Sequence, residues 1–340
     1  MAPLPSTLMR WQLADFGAQH LAYVEAPMPS PTGREVLVRV DAVSLNYRDQ
    51  LVIDNQYGMG AAPPFTPGSD MAGQVVATGP GVTRWKRGEG VISTFTAGWL
   101  DGQAPADAMP LGVPGPGMLA THVLVHEDWL VAAPTTLDAA AASTLPCAGL
   151  TAWMALVENG GLRAGQTVLM HGTGGVALFG VQIARLHGAQ AYVTSGSPEK
   201  IPAVLALGAA QVLPRSGLWP AELLTLTGGR GVDHVLETAG GATLGQSLQA
   251  LTQGGHVAYI GVMEGAGFSG SGFDLITKRA RVQGVSVGHR RALQDLVRAV
   301  DAGGLQPVVA ARYPAAKLHE ALEHLARGPL GKVVVTFSAE

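Results

Sequence analysis

Two kinds of apolar spacing divide the chain. As far as about residue 135 the apolar residues fall in short runs, at 8–13, 35–43, 73–77, 90–94 and 120–125. Gly and Pro clusters separate them, at 27–33 and 79–81. Short strands at that spacing predict a small barrel or sandwich. Beyond about Leu137 the period changes. Segments 138–145 and 151–157 carry helical spacing on either side of Pro146. Strand-like runs then recur at 168–170, 191–193, 211–213, 234–236, 256–260 and 282–286. Helical segments intervene at 176–186, 199–206, 220–226, 243–251 and 273–277. Six strands with crossovers are the full count of a doubly wound parallel sheet, the Rossmann arrangement of an α/β protein. After Gly288 a helix at 292–302, an extended run at 307–313 and a helix at 316–326 lead to a last strand at 331–337. That strand is expected to return to the first domain. The predicted organisation is therefore 1–136 with 289–340 as one domain and 137–288 as the other.

The stretch 167–200 organises the second domain. It opens TVLMHGTGGVALFG, a strand run followed by a glycine turn and a helical run. Gly172, Gly174 and Ala177 fit G-x-G-x-x-A, and strand, turn, helix and strand succeed one another within one βαβ length. That context makes the glycine match a dinucleotide fingerprint. Gly172 suits the tight turn, and Gly174 lets backbone N–H groups approach a pyrophosphate. Ala177 lets helix and strand pack closely, and the helix N-terminus meets the phosphate charge. Thr173, Gly175 and Val176 complete the turn.

The end of the next strand distinguishes the dinucleotides. NAD sites carry an acid there for the ribose 2′-OH; this chain has Ser195. Ser195 and Ser197 can donate to a 2′-phosphate, Lys200 adds charge, and Arg215 can add a second cation. The pattern favours NADP(H). Taken singly, Lys200 also fits a solvated first-turn lysine and Arg215 a loop arginine. Further cofactor contacts are expected at strand carboxyl ends, at Ala239 within 238–240, and at Gly261 and Val262.

Composition narrows the classes. The 340 residues suffice for two cores, with 47% hydrophobic, 14% charged, 46 Gly and 22 Pro. A net charge of −3 and no basic stripe argue against a nucleic-acid partner. No apolar run reaches membrane-spanning length. The first seven residues, MAPLPST, lack the features of a signal peptide, so a cytoplasmic location is the default. The lone Cys147 excludes an internal disulfide and an all-cysteine zinc site. Segment 95–117, Gly/Pro/Ala-rich around Trp99, reads as a long loop able to overhang a substrate cleft.

These residues together resemble the medium-chain dehydrogenase/reductase superfamily, in its zinc-free, quinone-oxidoreductase-like branch. The marks are EVLVRVDAVSLNYRD at 35–49, PGSDMAG at 67–73, LPCAGLTAW at 145–153, the glycine turn, and GKVV at 331–334. The resemblance implies a GroES-like β-barrel catalytic domain, completed by C-terminal residues, beside the Rossmann domain, with the active cleft between them. It adds Thr151 and Lys332 to the cofactor set, and Leu150 to the nicotinamide walls. It also implies a homodimer, paired through the edge strand at 282–287. The zinc-dependent branch carries a cysteine ligand where this chain has Asn46, and Gly-His-Glu where it has Gly68, Ser69 and Asp70. Only the third ligand position is kept, as Cys147. No metal is therefore expected. His122 and His126 fit ordinary strand packing, and Cys147 a small buried side chain rather than a nucleophile.

Without a metal, hydrogen-bond donors must meet the negative charge that hydride transfer creates. A quinone or α,β-unsaturated carbonyl spreads that charge and suits weak donors. Asn46 and Tyr57 are the catalytic candidates, with Tyr47 and Arg48 near; Tyr57 matches the cleft tyrosine of quinone and enoyl reductase relatives. Asn46 equally fits a helix cap and Tyr57 a half-buried loop tyrosine, and for Asp70 a structural turn carboxylate is the favoured reading. The expected activity is NADPH-dependent reduction of a small-molecule quinone or enone. A zinc-independent carbonyl reductase or alcohol dehydrogenase is the second reading, and a low-turnover NADPH-binding protein the third.

Overall fold

The computed structural model describes residues 4–58, 60 and 62–337. Residues 1–3 of the N-terminal stretch considered above lie outside the described residues, as do 338–340 at the other end. Two units emerge, Met1–Cys147 with Val287–Glu340, and Ala148–Ser286.

In the first unit the strand Glu35–Ser44 is central. It pairs antiparallel with Asp70–Thr78, His122–His126 and Lys332–Thr336. Having neighbours on both edges, it buries Val36, Leu37, Val38, Val40, Ala42 and Val43 almost without alternation. The last strand does return here, with Val335 opposite Val43, and Val309–Pro314 lies parallel on its far side. Trp11, Leu13, Met71, Leu119, Leu130, Leu318 and Val333 fill the core. Thr7–Leu13 forms a ribbon with Leu21–Pro27, a strand absent from the sequence reading.

Segment 95–117 is not a free loop. Thr96–Ala97 pairs with Met109–Pro110, and Phe95, Ala97, Leu111 and Val113 are buried. The carbonyls of Trp99 and Leu100 accept from the N–H groups of Arg290 and Arg291, at 3.0 and 3.1 Å. They thereby satisfy donors that the first turn of helix Arg290–Gly303 leaves open. The Trp99 ring packs edge-on against His289, with centroids 5.6 Å apart. Lid behaviour does not follow from this packing.

The two helical segments around Pro146 are one helix, Ala139–Glu158. Wide π turns at Leu145–Gly149 and Met154–Glu158 interrupt it. A proline removes one helical hydrogen bond and crowds the preceding turn, and a π turn absorbs both. The 20-residue helix is thus long and apolar enough to cross a membrane, contrary to the reading of the broken run. Its window is 89% buried inside the protein, as in a core helix. The first unit also extends past 136, to Cys147. The start of this helix packs on the central strands, Arg312 pairs with Asp138, and the Cys147 N–H reaches Asp70.

The second unit holds a parallel sheet of six strands among the described residues. Their order is Gln211–Pro214, Gln190–Ser195, Thr167–His171, Val232–Glu237, Leu251–Tyr259 and Arg281–Gly284. Chain order reverses between Thr167–His171 and Val232–Glu237, the switch point of a doubly wound sheet. Helix Gly175–Leu186 lies against the sheet, and Gly180 sits at a close approach. A Cβ there would stand 3.0 Å from both Leu236 and Met170 side-chain atoms.

One face of this sheet carries an acid-sensitive pair. His234 and His256 are cross-strand neighbours with ring centroids 6.0 Å apart, and Arg281 is the next neighbour of His256. Neither ring nitrogen of the buried His256 has a hydrogen-bond partner. Burial, then the Arg281 and His234 charges, lower its pKa from 6.5 to about 4. Between those values the unfolded chain holds more protons, so stability rises with pH. The contribution is whole above about 6.5 and lost as pH falls towards 4. The shift corresponds to roughly 3 kcal/mol. His256→Phe should flatten the decline of melting temperature across that window. An unaltered pH profile in the variant would remove His256 from the account.

Candidate active site and cofactor-binding loops

In the first unit, helix Tyr47–Ile53 starts at Asn46, and the Asp49 carboxylate caps it by accepting from the Asn46 N–H at 2.7 Å. Asn46 and Asp49 form a capping box, so the backbone-capping alternative for Asn46 stands, and its amide takes other partners as well. Its Nδ2 donates to Asp70 Oδ2 at 3.0 Å, and its Oδ1 accepts from the Lys332 ammonium. An ammonium only donates and a carboxylate only accepts, so the amide has one permitted orientation. Lys332 also donates to the Leu45 carbonyl. The sequence reading placed Lys332 with the cofactor set. Its strand pairs beside Leu45, and the structure groups it with Asn46 in the first unit.

Asp70 is fully buried and takes three donors: Asn46 Nδ2, Ser69 Oγ at 2.6 Å and the Cys147 N–H at 3.1 Å. The π turn at Leu145–Gly149 contains that N–H. Burial raises Asp70 from 3.8 to about 6, while Lys332 and the donors pull it back. Asp70 is therefore more than a turn residue, since it anchors the catalytic candidate. Burial and the Asp70 charge raise the Cys147 thiol well above its ordinary range, so it stays protonated. Burial likewise raises Asp49.

Arg48, two residues after Asn46, carries Tyr57. Its guanidinium donates to the carbonyls of Leu111 and Val113, both at 2.8 Å. It lies 4.9 Å from the Tyr57 ring centroid and 5.0 Å from that of Phe95. Tyr57 is thereby seated on a fixed cation, half-buried. Tyr47, by contrast, is 47% exposed. His122 lies opposite Arg39 across the strands, and His126 Nδ1 accepts from the Asp128 N–H.

In the second unit, Gly172 has φ +79°, and a Cβ at Gly172 or Gly174 would meet nothing within 4 Å. Gly174 is the N-cap of helix Gly175–Leu186 and makes no side-chain cap. The first-turn amides are thus left for a ligand, and open space above two glycines fits a pyrophosphate. Thr173 and Thr151 are buried. Ser195, last residue of its strand, accepts from the Ser197 N–H at 3.1 Å. Lys200 ends the turn Pro198–Lys200 that follows. Arg215 succeeds the neighbouring strand and donates its N–H to the Ser195 carbonyl. Its guanidinium is paired with Glu264, which also accepts from Thr243 Oγ1 at 2.8 Å. Sequence spacing gave no signal of Glu264, which arrives from another loop.

The remaining loops are held by close approach. A Cβ on Gly261 would lie 2.3 Å from the Thr238 carbonyl oxygen, so only glycine fits. Ala239 is buried and Val262 is 43% exposed. Ala239 and Gly240 both donate backbone N–H groups to Glu237 Oε1 at 3.0 Å. The sequence reading missed this buried Glu237, and His171 beside it; the only cue was a polar residue at the end of each apolar strand.

Residues 32–135 match the alcohol dehydrogenase GroES-like domain, and 175–302 match the zinc-binding dehydrogenase family. The chain belongs to the medium-chain dehydrogenase/reductase superfamily, in its quinone-oxidoreductase-like branch. It is therefore an oxidoreductase of a family that binds a nicotinamide cofactor. A zinc-type alcohol dehydrogenase-like protein of Schizosaccharomyces pombe is 34% identical, over 88% of this chain and 90% of its own. The quinone oxidoreductase of Rattus norvegicus is 30% identical, over 94% and 95%. A crystal structure from Sinorhizobium meliloti 1021, assigned as an alcohol dehydrogenase, is 50% identical with a TM-score of 0.95, covering 98% of this chain and 100% of its own.

The second family's description implies zinc, and the residues present do not fit it. Asn46 and Ser69 are poor ligands, and an ammonium sits on Asn46. A catalytic zinc site needs three good donors. Among the described residues no group of three or more His, Cys, Asp or Glu is placed to hold a metal ion.

Proposed function

We propose that this protein transfers hydride from NADPH to a quinone or α,β-unsaturated carbonyl, without a metal. The donor set around Asn46 carries the reading. Lys332 occupies the Asn46 carbonyl, and Asp70 takes one amide hydrogen. The second Nδ2 hydrogen, with the Tyr57 hydroxyl, is left to meet substrate oxygen. Neutral donors of this kind support an enolate or hydroquinone anion, whose charge is spread. A localised alkoxide, as from a simple ketone, needs stronger help, of the kind a metal or a full proton donor gives. The cofactor supplies the hydride. The chain's residues orient the acceptor and stabilise its oxygen. The S. pombe and S. meliloti relatives keep carbonyl reduction as the second reading. A panel of quinones, enones and aldehydes with NADPH separates the two, and no turnover of any would leave a binding protein.

Ser195 and Lys200 support NADP over NAD, and Arg215 stands beside them paired with Glu264. A charge-assisted contact is about twice as strong as a neutral hydrogen bond. NADPH should bind ~10-fold or more tightly than NADH, a difference of ~1.4 kcal/mol. Ser195→Asp should shrink or invert that ratio. Equal dissociation constants in the unmodified protein would rule the preference out. A homodimer is consistent with the edge strand Arg281–Gly284, whose four residues are all exposed. The preceding helix also leaves Phe273 and Ile276 each 75% exposed. A cytoplasmic location completes the reading.

A further inference from the structure

We propose that His171 is a positioning residue for the nicotinamide cofactor, one imidazole that fixes three cofactor-side strand ends at once. His171 ends the strand Thr167–His171 and immediately precedes the glycine turn. Its ring is buried, edge-on to Trp219 with centroids 5.2 Å apart. Nδ1 lies 2.9 Å from Thr194 Oγ1, one residue before Ser195. Nε2 lies 2.9 Å from Ser247 Oγ and 3.4 Å from Glu237 Oε2. Glu237 ends the strand Val232–Glu237, and its carboxylate holds the amides of Ala239 and Gly240. Thr238 Oγ1 closes the circuit by donating to the His171 carbonyl at 2.9 Å.

The hydrogens fit in one direction. Ser247 donates to Glu237 Oε2 at 2.6 Å, so its oxygen must accept from His171 Nε2–H. In the neutral ring Nδ1 then accepts from the Thr194 hydroxyl. Burial opposes the Glu237 charge, but Ser247, the Gly240 N–H and the nearby His171 imidazole hold the carboxyl below its usual range. An ionised carboxylate in a dry site orients each donor that it receives. The glycine turn, the Ser195 end and the 238–240 loop therefore share one rigid support. These loops bind chiefly through backbone groups, so ligand geometry follows the support.

A filler of the sheet end would affect stability alone, whereas a positioning residue changes cofactor binding. Dissociation constants of NADPH and NADH, by calorimetry on the full chain, and steady-state constants decide between them. His171→Phe should raise the cofactor Kd and KM about 10-fold, a loss of ~1.4 kcal/mol. Turnover at saturating cofactor should fall by less than KM rises, and the substrate KM should stay put. His171→Gln, which keeps one N–H, should recover part of the affinity. A folded His171→Phe protein with unaltered cofactor Kd overturns the proposal. Should His171→Phe not fold, Thr194→Val and Ser247→Ala each remove one hydroxyl. Each should weaken cofactor binding severalfold, and unaltered Kd values in both would overturn it equally. Binding of either dinucleotide serves, so failure here leaves the NADP preference untouched.

Discussion

Tyr57→Phe is expected to lower turnover by ~10²–10³, the usual cost of one oxyanion donor, with cofactor affinity nearly unchanged. The substitution removes a hydroxyl and keeps the ring. The ring rests on the Arg48 guanidinium, which two carbonyls and the Phe95 face hold in place. The seat therefore survives, and the loss is chemical. Turnover and NADPH dissociation constants in the same preparation check it. Normal turnover of quinones and enones by Tyr57→Phe would make Tyr57 a structural residue and leave Asn46 as the donor.

Lys332→Met is expected to be the most damaging change in the first unit. Burial raises the Asp70 carboxyl from 3.8 to about 6, and the Lys332 ammonium is the largest influence holding it from going higher. A carboxyl raised in the folded state contributes stability that is whole below 3.8 and lost as pH rises through about 6. Without Lys332 that value rises further, and the burial-raised Asp49 loses the same counter-charge. The variant should be destabilised by ~3 kcal/mol at mildly alkaline pH, the low end for leaving a buried charge uncompensated. The deficit should narrow as pH falls towards 6, because the variant's carboxyl, raised further, protonates before the native one. Melting temperatures of both proteins from pH 4 to 8 measure this. A gap that is constant with pH would show that Lys332 does not support these carboxylates. Turnover should fall as well, because the Asn46 amide loses the partner that fixes its orientation.

The dinucleotide half was legible in the sequence because its signal is local. Strand period, glycine turn and helical period follow one another from Thr167 to Leu186. The six strand runs were found for the same reason, each being a short apolar run between turn residues. Leu21–Pro27 escaped because it buries only Leu21. Pro146 misled for a physical reason: local rules end a helix near proline, and a π turn lets this one continue. The catalytic group was only half legible. Asn46 and Tyr57 stand in a motif, but the Lys332 bond to Asn46 joins residues 286 apart. Asp70 looked like a turn residue until the Asn46 amide and the Cys147 N–H were found to converge on it. His171, Glu237 and Ser247 carry no motif, because what unites them is the register of parallel strands.

Where the hydride lands tests the account most directly. The protein, freed of metal with a chelator, is given NADPH deuterated at the transferring position and a conjugated enone, and the product is analysed by NMR. The account predicts the saturated ketone with deuterium on the β-carbon, formed at the same rate with and without chelator. An allylic alcohol deuterated at the carbinol carbon, or activity that vanishes with the chelator, would contradict it.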